Sequence, residues 1–135
     1  ATSGPISPQG NEAPVLFKRN DWYYLYYGPP CCFCRFGSVA EYWTALSPLG
    51  PWTNMEVDLN PKQPHSKNRT VQTQNSHVFQ ASLKDGSVAY VTVGGHLWSS
   101  AKDSLKSHAL QYWQQLEFDD STCSPPSIKL SLDLA

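Results

Sequence analysis

Glu12-Ala13-Pro14-Val15-Leu16-Phe17-Lys18-Arg19-Asn20-Asp21-Trp22-Tyr23-Tyr24-Leu25-Tyr26-Tyr27-Gly28 is the stretch that decides the fold. Val15-Leu16-Phe17 reads as a short strand, Asn20-Asp21 as a turn, and Trp22–Tyr27 as a second strand. The second run is apolar on both alternating faces, so both faces should be covered. A strand covered on both sides belongs inside a stack of sheets. Before it, residues 1–11 hold two Pro and two Gly and read as loop.

Outward from this hairpin, Glu41–Leu46 reads as a third strand, ended by Ser47-Pro48-Leu49-Gly50-Pro51. Residues 54–75 are polar and contain Pro61 and Pro64; they read as a long loop. The hairpin then recurs. Val78-Phe79-Gln80-Ala81-Ser82 is a strand, Lys84-Asp85-Gly86 a turn, and Val88–Val93 a second strand expected to be buried on both faces. Gly94-Gly95 is expected to end it, as Gly28 ends the first. Val15 and Val78 are 63 positions apart. A repeated hairpin with two-sided burial suits the blades of a propeller.

Residues 104–116 carry two patterns. Leu105, Ala109, Tyr112, Trp113 and Leu116 fall at helical spacing, whereas Gln111-Tyr112-Trp113 also suits the start of a strand. At the end, Ile128, Leu130, Leu132 and Leu134 alternate with Lys129, Ser131 and Asp133, the pattern of a half-buried outer strand.

Composition excludes some functions. Charged residues are 16% of the 135 and the net charge is −1, without the excess of Lys and Arg that nucleic acid or an anionic membrane would need. No apolar run reaches the length of a membrane span. No segment has the layout of a secretion signal. The chain does not begin with Met, so it is expected to be processed or cut from something longer. Five Trp, seven Tyr and five Phe are enough both to fill a core and to supply faces for sugar rings.

Cysteines stand at 31, 32, 34 and 123. Cys31-Cys32-Phe33-Cys34 holds one C-x-x-C spacing, but zinc would want a second such pair or a His pair, and no metal is expected. A cysteine-rich loop, with or without a disulfide, is the reading. Asn68-Arg69-Thr70 is a glycosylation sequon and favours a secreted protein.

Three stretches, in order, resemble glycoside hydrolase family 43. Glu12-Ala13-Pro14-Val15-Leu16-Phe17 with Trp22-Tyr23-Tyr24-Leu25 looks like that family's acid-bearing strand and the Tyr-Tyr-Leu strand after it. Thr44–Thr53, containing Leu49-Gly50-Pro51-Trp52, is similar to the ending of the same blade. Gln74 through Gly94-Gly95-His96-Leu97-Trp98 to Gln111–Phe118 looks like the next blade in the galactanase-like branch, although His96 stands where those relatives have Asp.

The resemblance implies an all-β chain: two four-stranded antiparallel blades, residues 12–58 and 70–134, from the C-terminal part of a five-bladed propeller. Residues 104–116 should then be loop followed by strand. It also implies an inverting glycosidase without cofactor. The substrate would be a galactan or an arabinose- or xylose-containing polysaccharide. The family's two other acidic site residues would lie in blades before Ala1, so this piece alone would be inactive.

Cleaving a glycoside with water requires a carboxylic acid to protonate the leaving oxygen. Glu12 is the candidate acid; the bland alternative is an exposed loop Glu. Gln74 occupies the same place in the second unit, where the resemblance implies a role in holding water or sugar. A strand-capping polar residue is its alternative, and Gln72 is the neighbour it could be confused with. Cys31 and Cys32, on a rim loop, and Trp98 are candidate substrate contacts. Trp113 is expected in the core. Asp119-Asp120 beside Ser121 reads as a solvated turn, and His108 as a loop cap. Two other classes compete: a non-catalytic carbohydrate-binding or inactive truncated β-domain, and a disulfide-rich secreted interaction module.

Overall fold

A computed structural model describes residue 6 and residues 12–28, 41–59, 73–96, 100–121 and 125–130. The strands are β1 (Glu12–Arg19), β2 (Trp22–Gly28), β3 (Glu41–Ala45), β4 (Thr53–Asp58), β5 (Asn75–Ser82), β6 (Val88–His96), β7 (Gln111–Asp119) and β8 (Ser127–Leu130). They form two four-stranded antiparallel sheets, β1-β2-β3-β4 and β5-β6-β7-β8, each in sequence order. The only helical piece among the described residues is one 3-10 turn, Lys106–His108.

The two sheets stack face to face, with β1 against β5. Their shared core holds Val15, Phe17, Tyr24, Tyr26 and Tyr42 from the first sheet. Val78, Tyr90, Leu116, Phe118 and Ile128 face them from the second. Phe17 stacks on Tyr24 at 5.1 Å, and Phe118 meets the edges of Tyr24 at 5.8 Å and Tyr90 at 5.3 Å. Such ring pairs each add about 0.5–1.5 kcal/mol beyond burial alone.

Polar bonds pin the same interface. Tyr26 and Thr92 share a buried hydroxyl–hydroxyl hydrogen bond, Tyr24 donates to the Pro126 carbonyl at 3.1 Å, and the Ile128 amide donates to the Tyr42 hydroxyl at 3.3 Å. Burial pushes the Tyr26 hydroxyl pKa up and that of Tyr24 to about 12. Both hydroxyls therefore remain neutral at ordinary pH.

The doubly covered strand is as expected: Tyr24 through Gly28 are all buried. Residues 104–116 are loop and then strand, so the helical spacing there was coincidental. The second doubly apolar strand is covered less completely, since Val88 is exposed at the sheet's far end.

Two expectations need correction. Residues 54–58, expected to be loop, belong to the edge strand β4. Its polar composition suits an outermost strand that leaves Glu56 and Val57 exposed, while Met55 packs on the core. Gly94 does not end β6. It pairs with Asn75 on one side and Tyr112 on the other, and the strand runs on to His96.

Candidate active site

Antiparallel order puts the start of β1, the end of β2, the start of β5 and the end of β6 at one end of the sheets. Glu12 is the first residue of β1, and Gln74 immediately precedes β5. Both are half-buried. The Gln74 side-chain amide donates to Glu12 Oε1, so the two residues meet across the boundary between the sheets. Sequence had placed them only in equivalent positions; folding puts them in contact.

Local backbone explains how Glu12 reaches that place. The β1–β2 register shifts between Glu12 and Val15, with one extra residue on β1. Ala13, inside this bulge, has φ of 53°. A bulge re-aims the side chain beside it, and such features gather at functional sites. β5 carries a matching shift between Asn75 and His77. Both inner strands are thus kinked next to a candidate site residue.

Behind Gln74, Thr73 is buried, and its hydroxyl donates to the Gln74 carbonyl at 3.3 Å. The Asn75 amide nitrogen is buried and finds no acceptor among the described residues. Thr73, Gly94 and the Ala13 bulge were not legible as site features. The only hint was Gly94-Gly95, which reads more simply as a strand terminator.

The loop between β6 and β7 lies at the same end. Asp103 Oδ1 accepts from the Leu105 amide at 3.1 Å, and Oδ2 lies 2.6 Å from His108 Nδ1. The hydrogen bond from His108 holds the Asp103 carboxyl below its usual range. His108 therefore pins this loop, as expected of a cap.

At the opposite end, Asp119-Asp120 opens an exposed turn, as expected, and Asp120 also takes a partner. Arg19 grips it with two bonds, of 2.6 and 2.7 Å, and lays its guanidinium 4.2 Å over the Phe118 ring. Asp119 does cap a turn, accepting from the Ser121 amide at 3.0 Å. Trp113, expected in the core, is 58% exposed on the outer face of the second sheet, with Phe79 edge-on at 5.4 Å. Cys31, Cys32, Trp98 and Gln72 lie outside the described residues. No cluster of metal-ligating side chains occurs among the described residues.

At the level of sequence, neither the known protein families nor the curated proteins give a match. Solved structures do. An exo-β-1,3-galactanase from Clostridium thermocellum superposes with a TM-score of 0.64 and 21% identity, over 89% of this chain and 23% of its own. A family 43 β-1,3-galactosidase gives 0.62 and 22%, over 88% of this chain and 22% of its own. The exo-β-1,3-galactanase of Phanerochaete chrysosporium, in a structure holding β-1,3-galactotriose, gives 0.60 and 18%, over 90% and 24%. The chain thus spans about a quarter of the length of these proteins. The likeness is one of fold: the chain is built as two neighbouring blades of the propeller found in galactanase-like glycoside hydrolases of family 43.

Proposed function

We propose that this chain is the acid-bearing part of an inverting glycoside hydrolase that cleaves a galactan, with Glu12 as the general acid. The contact between Glu12 and Gln74 carries the proposal. An isolated loop carboxylate would have no reason to sit at the mouth of a bulged inner strand and receive an amide from the next blade. The fold likeness to galactanases favours a β-1,3-linked galactan over arabinose- or xylose-containing chains.

The chemistry follows from the two side chains. The Gln74 N–H orients the Glu12 carboxyl, which carries a proton to the leaving glycosidic oxygen. As the C–O bond breaks, that proton passes to the departing sugar and Glu12 becomes a carboxylate. The same amide donor then stabilises the new charge. Water attacks the anomeric carbon from the opposite face, and the proton it sheds goes to a base. In inverting enzymes that base stands roughly 6.5–9.5 Å from the acid, leaving room for the water. We assign the base to a part of the full-length protein outside this chain, and the Gln74 side-chain oxygen to holding the water or a sugar hydroxyl. Cys31, Cys32 and Trp98 remain proposed contacts to the sugar. A polysaccharide substrate and the sequon at Asn68 together favour a secreted protein.

The test is stereochemical. The full-length protein is incubated with β-1,3-galactotriose and the first-formed anomer is followed by proton NMR. The proposal predicts the α-anomer at early times. A β-anomer first would refute inversion. Binding of the trisaccharide without cleavage would favour the non-catalytic carbohydrate-binding reading.

A further inference from the structure

Gly94 sits in the interior of a four-stranded sheet, where glycine is about 0.5–1 kcal/mol less favourable than alanine. It is buried and is bonded in register to Asn75 and Tyr112. Backbone conformation does not explain it, because the glycines with positive φ among the described residues are Gly50 and Gly86. Space does. A Cβ at position 94 would fall 2.4 Å from Thr73 Cγ2, 2.6 Å from Thr73 Oγ1 and 3.0 Å from Thr73 Cβ. All three atoms belong to one buried, β-branched side chain with little χ1 freedom, so nothing at the end of a flexible chain can swing away.

Thr73 immediately precedes Gln74, and its hydroxyl is bonded to the Gln74 carbonyl. Gln74 in turn reaches Glu12. We infer that Gly94 is a positioning residue: the side chain it lacks is the socket for Thr73, and that socket sets where the Gln74 amide meets Glu12. Any side chain at 94 displaces Thr73 and carries Gln74 with it, without touching Glu12. This inference rests on the proposed roles of Glu12 and Gln74.

The experiment is a set of variants of the full-length protein: Gly94→Ala, Gln74→Ala, both together, and Gly94→Ala with Thr73→Ala. Each is assayed on β-1,3-galactotriose, and crystal structures are determined for the Gly94 variants. Displacing a catalytic-site group by an ångström costs about 100-fold in rate. Gly94→Ala should therefore lower kcat by about that factor, with KM little changed. Thr73→Ala should restore most of the loss, since it removes Cγ2 and Oγ1. In the Gln74→Ala background, Gly94→Ala should cost nothing further, because both act through one contact.

Losses that multiply in the Gln74→Ala background would overturn the inference, as would failure of Thr73→Ala to rescue. If Gly94→Ala alone does not fold, recovery of folding in the double variant supports the socket and continued failure contradicts it. The crystal structures separate this inference from the functional one. A broken contact between Gln74 and Glu12 in Gly94→Ala, remade in the double variant, upholds the socket even if the wild-type protein cleaves no galactan. An unmoved Gln74 rejects it whatever the activity.

Discussion

At the scale of single residues, Ala13 stands out for its backbone conformation. A non-glycine residue at φ of 53° is held there against roughly 1–2 kcal/mol of steric strain. What it obtains is the bulge that brings Glu12 into register with Gly28 and into reach of Gln74. Ala13→Gly relieves that strain while loosening the unfolded chain, so thermal unfolding should show little net change. Ala13→Val places a β-branched residue in the left-handed region and should destabilise by at least ~1 kcal/mol. A Val variant as stable as the wild type would mean that Ala13 is not left-handed in solution. None of this was visible in Glu-Ala-Pro, because alanine has no preference for such a conformation. The equivalent positions of Glu12 and Gln74, by contrast, were legible, since each stands at the head of an apolar strand. Their mutual contact was not, because it joins residues 62 positions apart.

At the scale of elements, the Tyr26–Thr92 hydroxyl pair and the Arg19–Asp120 ion pair both bridge the two sheets. Tyr26 shares its hydroxyl with Thr92 inside the core. Tyr26→Phe leaves the Thr92 hydroxyl buried without that partner and should cost about 1–3 kcal/mol in denaturant unfolding. Adding Thr92→Val, which removes both hydroxyls, should recover most of the loss. A double variant that is worse than the sum would contradict a simple pair. The Arg19–Asp120 grip makes a different prediction. The hydrogen bond from Arg19 holds the Asp120 pKa below its ordinary value. A depressed carboxylate contributes stability that is full above its unfolded pKa and is lost as pH falls through the folded one. Asp120→Asn should therefore lower Tm modestly at neutral pH. The gap should close in acid, below the usual carboxylate range, and shrink in high salt, because Asp120 is exposed. A gap that is constant with pH would rule out the charge as its source. The hairpins behind this boundary were plain in the sequence because β1, β2, β5 and β6 carry the apolar runs. β4 was not, because an edge strand can be polar and still pair. The partner of Asp120 was not legible because Arg19 lies 101 residues away.

At the scale of the whole molecule, the repeat is the main fact. Two sheets of the same topology stack so that their inner strands start side by side, and the two kinked starts bring Glu12 and Gln74 together. The 63-residue spacing of Val15 and Val78 announced this in the sequence. Which face of the second sheet would be covered was not announced: Trp113 has the composition of a core residue and the exposure of a surface one. Periodicity places side chains on a face, but it does not say what lies beyond that face. On the proposed reading, Glu12 gives the proton. Its most direct test compares Glu12→Gln with wild type in the full-length protein, on β-1,3-galactotriose and on a dinitrophenyl β-galactoside whose leaving group needs no proton. Glu12→Gln should lose about 10²–10⁴-fold in kcat/KM on the trisaccharide and little on the activated substrate. Equal losses on the two would contradict it.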